Sequence, residues 1–274
     1  MITSTKNSKI QWIRTLQKQS KERREAGAFV VEGVRLVEEA LNSGWEPLLI
    51  FYTAGLSSTG MDLVSRAANL GVPVEEAAPA VLKTASDTET PQGILAVLRQ
   101  KSLDLPVKPN FLLIADAVRD PGNLGTILRT AAAAGVQAVL LPAGTVDPFS
   151  PKVLRSGMGA HFRLPVHSMS WDEIQQYFTG LEEGPPAMYI ADSGSGQPYT
   201  QADFRSPLVL IIGGEAEGAG EQADLIANRH VHIPMPGGTE SLNAAVAAAV
   251  LMFEVVRQRA DARGQKSEVR SQNS

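Results

Sequence analysis

Three segments of this 274-residue chain place polar residues directly after an apolar run and before a helix-like stretch. They cover residues 111–135, 208–220 and 233–243, and the last of them reads IPMPGGTESLN. The carboxyl ends of strands are where α/β proteins usually carry their binding sites. In the first segment Arg129 stands in an otherwise apolar, alanine-rich helical stretch, so its guanidinium needs either a structural ion-pair partner or a ligand. A ligand that accepts two parallel hydrogen bonds, such as a phosphate, suits a guanidinium.

Short polar side chains at these turns predict helix caps, site residues or both. Asn123 follows a D-P-G tripeptide where a helix is expected to begin, and Ser241 precedes a long apolar helix. Each is a suitable N-cap because its oxygen can accept from free backbone amides. Glu215 lies in the turn after an apolar run, where it can hold a neighbouring side chain or favour the amino end of the next helix. Both interpretations stay open.

Continuous apolar runs recur through the second half of the chain and must position these turns. Such runs are typical of strands buried on both faces, so we expect a parallel sheet covered by helices. The expected strands are 111–115, 136–141, 188–191, 208–212 and 230–233, and the expected helices are 124–134, 171–179, 221–227 and 242–259. The pattern alone predicts an open, doubly wound α/β sheet.

The first hundred residues predict a smaller α/β unit. The expected helices are 7–24, 34–42, 61–70 and 80–85, and the expected strands are 29–31, 48–52, 72–74 and 94–98. Two prolines and little periodicity make 101–109 a linker. The domains are therefore expected at 1–100 and 110–259, and the polar residues 260–274 are expected to form a disordered tail.

Composition excludes several kinds of site. The chain has no cysteine, and its four histidines show no paired ligand spacing, so neither disulfides nor a metal site are expected. The longest apolar run, 244–253, is half a membrane span, and Met1 begins a polar, basic stretch. We therefore expect a cytoplasmic protein without a membrane segment.

Two basic stretches stand out although the net charge is only −4. Residues 6–24 carry seven cations against the single acid Glu22, and residues 152–163 carry a second group without any carboxylate. The candidates for phosphate contacts are Lys6, Lys9, Arg23, Arg24 and Arg155. The alternative for the first stretch is a solvated helix face, and for the second an exposed helix terminus.

Together the three segments resemble the motifs of the SpoU (TrmH-like) family of RNA ribose 2′-O-methyltransferases, in the SPOUT superfamily. The first matches D-P-x-N-L-G-x-x-x-R-x-A from Asp120, the second matches G-x-E-x-x-G from Gly213, and the third matches I-P-M followed by S-L-N from Ile233. Ala216 stands where many members have glycine. The F-V-V-E-G turn at 29–33 is similar to the ribosomal-protein-like domain that precedes the catalytic part in many members.

The resemblance implies an S-adenosylmethionine-dependent enzyme with a trefoil-knotted, parallel-sheet domain behind an RNA-binding domain. It implies a homodimer whose active site lies near the subunit interface, with 244–253 as a contributor. The implied catalytic residues are Arg129, Asn123, Glu215, Ser241 and Asn243; the implied cofactor-binding residues are Gly213, Gly214, Ile233, Met235 and Leu242.

The role of Arg129 has three interpretations. The family proposal makes it the base that deprotonates the ribose hydroxyl, which is difficult for a side chain that normally stays protonated. A second role is to orient the hydroxyl or its neighbouring phosphate and to stabilise developing negative charge. The third is a structural salt bridge. For Ile233 and Leu242, the alternative to cofactor binding is ordinary core packing.

Structured RNA is the expected substrate, with ribosomal RNA favoured over transfer RNA because of the preceding domain. A non-catalytic RNA-binding or ribosome-assembly protein with the same fold is the main alternative. A nucleotide-dependent enzyme is a third hypothesis, but no G-x-x-x-x-G-K-[ST] loop occurs and no strand is followed by G-x-G-x-x-G.

Overall fold

The chain forms two compact units. The computed structural model describes residues 1–192, 194–214 and 218–272, with the backbone alone from residue 263 onward. One unit contains residues 1–102 together with 147–163, and the other contains 103–146 together with 164–274. The chain therefore passes between the units three times, whereas the sequence predicted a single linker. The segment 147–163 falls in the range predicted for the second domain, and in the structure it packs within the first unit.

The first unit is a four-stranded sheet between two helical layers. Its strands run in the order β1-β4-β2-β3, and only β2 and β3 pair in parallel. The elements are α1 (Ser8–Lys18), α2 (Ser20–Ala26), β1 (Ala28–Glu32), α3 (Val34–Asn42), β2 (Pro47–Tyr52), α4 (Ser58–Asn69), β3 (Val74–Glu76), α5 (Pro79–Ala85) and β4 (Ile94–Arg99).

Alternation along the strands divides the apolar residues between these two layers, because successive side chains point to opposite faces of a sheet. Leu95 and Val97 of β4 pack with α1 and α5. Ile94, Ala96 and Leu98 pack with α3, α4 and the segment 147–163.

The sequence predicted one helix over residues 7–24, but the structure breaks it at Gln19. Gln19 is extended, with φ −121° and ψ 115°, and separates α1 from α2. The break lets Arg23 turn inward, where it donates to the Leu16 and Gln17 carbonyls at the end of α1. These carbonyls have no partner within the helix, so the guanidinium serves as their cap.

Arg23 is therefore wrong as a candidate RNA contact. Its side chain is 5% exposed, and its Nε donates to Asp147 Oδ2 at 2.8 Å. Removing Asp147 would leave the buried Arg23 guanidinium without its opposite charge, which destabilises a protein strongly. Arg23 thus attaches segment 147–163 to α1.

Aromatic packing also attaches segment 147–163 to the first unit. Phe149 lies 4.7 Å from Phe29 between ring centroids, and the Trp45 indole donates to the Phe162 carbonyl at 3.1 Å. The sequence pattern could not reveal these contacts, because Phe149 and Phe162 lie more than a hundred residues from Phe29 and Trp45.

The second unit is an all-parallel sheet of seven strands in the order β7-β6-β5-β10-β8-β11-β9. The predicted parallel α/β fold is confirmed. The strands are β5 (Phe111–Asp116), β6 (Ala138–Leu141), β7 (Val166–Ser168), β8 (Ala187–Ala191), β9 (Gln197–Pro198), β10 (Leu208–Gly213) and β11 (Arg229–His232). The sequence did not predict β7 and β9, because these strands are short and incompletely buried and so lack an apolar run.

Helices cover both faces of this sheet. They are α6 (Pro121–Ala134), α8 (Trp171–Thr179), α9 (Glu221–Ile226) and α10 (Ala244–Gln272), while α7 (Pro151–Gly157) lies in the first unit. Short 3₁₀ turns occupy Ala160–Phe162 and Tyr199–Gln201. The residues of α8 and α9 pack against one face of the sheet, and α10 packs on α6 and β10.

The last helix differs from the prediction at both ends. It begins at Ala244, two residues later than expected, and its backbone continues through most of 260–274. Among the described residues, no helix combines the length and apolarity needed to cross a membrane.

The buried His161 makes the stability of the first unit depend on pH. Its side chain lies beside Phe149, and burial lowers its pKa to about 4. Between pH 6.5 and 4 the unfolded chain therefore binds a proton that the folded chain does not. We expect His161 to lower the free energy of unfolding by about 1.4 kcal/mol per pH unit as pH falls through this window.

Urea denaturation of His161→Phe at pH 7, 6 and 5 measures this contribution. The variant is expected to lose that part of the pH dependence, whereas His167→Gln, at a half-buried histidine of the second unit, is expected to keep it. Equal pH slopes in His161→Phe and the unmodified protein would contradict the assignment.

Candidate functional site

A cleft of about 760 Å³ opens at the carboxyl ends of β8, β10 and β11, beside the start of α10. This volume is in the range of small-ligand sites. The five residues that the sequence predicted for cofactor binding all line it: Gly213, Gly214, Ile233, Met235 and Leu242. Ser241 and Asn243 line it as well. The second and third motif segments thus meet at one cavity.

The two glycines at the end of β10 are required by the fold of the chain itself. A Cβ on Gly213 would lie 2.0 Å from the Ala219 nitrogen, and a Cβ on Gly214 would lie 2.2 Å from the Ala117 carbonyl oxygen. Such contacts leave no room for any side chain. The resemblance implies that both glycines bind the cofactor; in the structure their backbone also packs closely on Ala219 and Ala117.

Asn243 connects the third motif to the first. Its Oδ1 accepts from the amides of Ala245 and Val246, so its Nδ2 is left to donate to Asn123 Oδ1 at 3.0 Å. Asn243 is therefore the N-cap of α10, and the expectation that Ser241 caps this helix is wrong. One amide stabilises the helix and holds Asn123 beside the cleft.

Asp120, and not Asn123, caps α6. The Asp120 carboxylate accepts from the Asn123 backbone amide at 2.8 Å, and Pro121 occupies the first helical position, where no amide is needed. The cap position is thus three residues before Asn123. The Asn123 side-chain oxygen instead accepts from Asn243.

Arg129 lies on the exposed side of α6 and not among its packed residues. The buried face of the helix consists of Leu124, Gly125, Ile127, Leu128, Ala131 and Ala134. Within the described part of the chain, no group pairs with the Arg129 side chain, so the structural salt bridge has no support there. An exposed guanidinium without a partner can meet an external anion.

The other predicted residues fall into three groups. Glu215 lies outside the described residues. Lys6 and Arg24 are exposed. Lys9 pairs with Glu75, and Arg155 donates to Asp87 at 2.6 Å, so an RNA phosphate would have to compete with a carboxylate at both.

Three carboxylates at the cleft were missed by the sequence analysis: Asp192, Asp224 and Glu240. Asp192 directly follows β8, so the rule that strand ends carry sites could have found it. Asp224 lies on α9, with its Oδ1 3.6 Å from His230 Nε2. Carboxylates between apolar walls suit a ligand that carries hydroxyl groups and positive charge.

Comparison with known families gives matches over most of the chain. Residues 110–253 match the model of the SpoU rRNA Methylase family, and residues 7–96 match the MRM3-like substrate binding domain. The chain belongs to the SpoU family. The first match contains all three motifs and the entire lining of the cleft.

Curated relatives support the same assignment. The chain is 37% identical to the 23S rRNA (guanosine(2553)-2′-O)-methyltransferase RlmP of Bacillus subtilis, with 93% of this chain and 98% of the relative covered. It is 35% identical to rRNA methyltransferase 3A, mitochondrial, of Danio rerio, covering 85% of this chain but only 64% of that relative. The chain therefore spans less than two thirds of the zebrafish protein.

Solved structures of the family resemble this one in both units. An AdoMet-bound rRNA methyltransferase from Sinorhizobium meliloti has a TM-score of 0.83 at 30% identity, covering 93% of this SpoU protein and 97% of the other chain. The SpoU methyltransferase AviRb from Streptomyces viridochromogenes, in complex with AdoMet, has a TM-score of 0.81 at 29% identity, with 93% and 100% covered.

The glycine packing makes a testable prediction. Gly214→Ala places a Cβ on the Ala117 carbonyl, so the turn must shift. We expect the melting temperature to fall by about 3 °C or more, as for a loss of at least ~1 kcal/mol, and the cleft to bind ligand less tightly.

Gly237→Ala is the matched control, because a Cβ there meets nothing within 4 Å. Thermal denaturation of both variants, followed by circular dichroism, checks the prediction. A Gly214→Ala variant as stable as Gly237→Ala would contradict it.

Proposed function

We propose that this SpoU protein transfers a methyl group from S-adenosylmethionine to a ribose 2′-hydroxyl of ribosomal RNA. The observation that carries the proposal is the Asn243–Asn123 hydrogen bond at the mouth of a cleft lined by the second and third motifs. This bond holds Asn123 of the first motif beside the cavity that the five predicted cofactor residues line. The relatives named as rRNA methyltransferases favour ribosomal over transfer RNA.

The cleft fits the proposed cofactor chemically. Ile212, Ile233 and Leu251 supply apolar walls for a flat base, and Gly213 and Gly214 bring backbone to the lining of the cleft because neither carries a side chain. Asp192 and Glu240, with Asp224, supply acceptors for hydroxyl and ammonium groups. When bound, S-adenosylmethionine supplies an electrophilic methyl group on a sulfonium.

Positioning is the main contribution that the protein makes to such a transfer. In this proposal Arg129 donates to the target ribose or its adjacent phosphate and stabilises the negative charge that develops on the hydroxyl oxygen. Asn123, held by Asn243, and Ser241 offer neutral groups to the ribose. Glu215 is proposed to order the same region.

Arg129 gives the direct test of the reaction. We expect Arg129→Ala to lower kcat for RNA methylation about 100-fold, the scale of losing a donor to a developing anion, and to leave cofactor affinity nearly unchanged because Arg129 does not line the cleft. Arg205→Ala removes a comparably exposed arginine elsewhere and is expected to act like the unmodified protein.

Calorimetric titration with S-adenosylmethionine and tritium transfer to ribosomal RNA provide the two measurements. Full activity in Arg129→Ala would remove its proposed role. A folded protein that binds RNA but neither binds the cofactor nor transfers methyl groups would support the non-catalytic RNA-binding alternative. Transfer to tRNA alone would support the tRNA alternative.

We propose that the α1–α5 face of the first unit, formed by α1, α2 and α5, contacts the RNA. Its exposed cations are Lys6, Lys18, Lys21, Arg24 and Lys83, and of these only Lys21 forms an ion pair among the described residues, with Glu25. The α3–α4 layer has cations and acids in near balance, with Glu38, Glu39 and Asp62 beside Arg35 and Arg66. Unpaired cations on one face favour contact with phosphates.

Charge reversal on the two layers tests this surface. We expect Lys18→Glu with Arg24→Glu to weaken RNA binding at least ~10-fold and to reduce its salt dependence, because phosphate contacts release counterions. Arg35→Glu with Arg66→Glu makes the same change in charge on the opposite layer and is expected to have a small effect. Equal losses in the two double variants, measured by filter binding at several salt concentrations, would contradict the α1–α5 face.

We also propose a homodimer that contacts through α10. Val246 and Phe253, 49% and 50% exposed, lie seven residues apart and so on the same side of this helix. Exposed apolar residues in such a row favour an interface. A single-chain mass by light scattering would contradict this proposal.

The trefoil knot remains a proposal for the path of residues 233–243. It is supported by α10, which follows the near-edge strand β11 and returns to pack on α6 and the central β10. An experimental structure with an unthreaded chain would contradict it. Ribosomal RNA as substrate implies the compartment of ribosome assembly, which in a bacterium is the cytoplasm.

A further inference from the structure

A buried carboxylate lies behind the wall of the cleft. Asp116 ends the central strand β5, is 4% exposed, and does not line the cleft. Among the described residues its carboxylate has one hydrogen-bond donor, the backbone N–H of Gly220, which lies 2.8 Å from Oδ2. No cation of the described chain pairs with it. Burying a carboxylate without a cation is unfavourable, so packing alone does not account for a carboxylate at this position.

The partner of Asp116 directly follows residues that form one wall of the cleft. Gly213 and Gly214 stand at the end of β10, Gly218 and Ala219 precede Gly220, and all four line the cleft. The Gly214 amide donates to the Gly218 carbonyl at 3.1 Å and brings the two sides together. Gly220 follows immediately and precedes α9.

The turn is thus fixed at both ends by the first motif segment. On one side Gly213 pairs in parallel register with Asp116, and Gly214 packs on the Ala117 carbonyl. On the other side the Asp116 side chain holds Gly220. Without the carboxylate, the outgoing side would lose this bond and keep the Gly214–Gly218 bond, the packing of Ala219 and the six-residue helix α9.

We propose that Asp116 is a positioning residue that holds Gly220, and with it the cleft-lining residues Gly218 and Ala219, in the position needed to bind the cofactor. This inference rests on the proposed function, because the ligand of the cleft is taken to be S-adenosylmethionine. Asp116 acts through Gly220 and the turn and does not touch the reacting groups. Its removal therefore affects cofactor affinity more than the rate of the transfer step.

The test compares Asp116→Ala, Asp116→Asn and Tyr177→Phe with the unmodified protein. Asp116→Ala removes the acceptor, whereas Asp116→Asn keeps an amide oxygen that can accept from Gly220. Tyr177→Phe is the matched control: it removes one hydrogen bond of the same unit, from the Tyr177 hydroxyl to the Pro106 carbonyl at 2.8 Å, at residues that do not line the cleft.

We expect Asp116→Ala to raise the Kd and the KM for S-adenosylmethionine about tenfold, as for the loss of one charge-assisted hydrogen bond. The kcat at saturating cofactor and the affinity for RNA are expected to stay within about threefold, because Asp116 bonds to Gly220 and touches neither the RNA nor the reacting groups. Asp116→Asn is expected to restore most of the affinity, and Tyr177→Phe to leave it unchanged.

Hydrogen exchange gives a readout that needs neither cofactor nor activity. In the free protein the Gly220 amide is expected to be protected, and Asp116→Ala is expected to increase its exchange at least tenfold. If the alanine variant does not fold, hydrogen exchange in the unmodified protein still tests the proposal. A Gly220 amide that exchanges as fast as one in an open loop overturns it.

The remaining outcomes separate this inference from the proposed function. Cofactor binding by the unmodified protein, with equal affinity in Asp116→Ala, overturns the role of Asp116 and leaves the methyltransferase intact. Equal weakening in Asp116→Ala and Tyr177→Phe also overturns it, since the loss then reflects general destabilisation. Absence of cofactor binding in the unmodified protein overturns the proposed function itself.

Discussion

The site depends on how closely the loops at the carboxyl edge of the parallel sheet approach one another. Gly214 packs its backbone on the Ala117 carbonyl, and Gly213 packs its backbone on Gly218 and Ala219. Ala117 has a positive φ of 54°, a conformation that side-chain-bearing residues seldom adopt and that persists only where the surroundings enforce it. Backbone packing therefore shapes the cleft wall before any ligand arrives.

The Asn243 amide makes helix stability and site geometry inseparable. Its oxygen caps α10, so the amide group is oriented, and its nitrogen must then point to Asn123. The long helix that closes the second unit thus positions a residue of the first motif. A short neutral side chain performs both tasks, which a carboxylate could not do because it has no hydrogen to donate.

The first unit shows why counts of basic residues overestimate RNA contacts. Arg23 stands in a strongly basic stretch, yet it is buried, bonded to the Asp147 carboxylate and to the end of α1. Lys9 and Arg155 are also paired with carboxylates. Only the tertiary structure shows which cations pair with carboxylates of the unit and which are exposed to solvent, where they can contact phosphate.

The sequence by itself determined the family, the parallel sheet and the five predicted cofactor residues that line the cleft. Apolar runs and motif spacing are local properties, so they can be identified in the sequence without knowing which segments contact one another. Tertiary structure decided which polar residue caps which helix, that Arg129 is exposed while Arg23 is buried, and that segment 147–163 completes the core of the first unit. The burial of Arg23 and the place of segment 147–163 depend on Arg23 and Asp147, groups more than a hundred residues apart whose pairing no local pattern records.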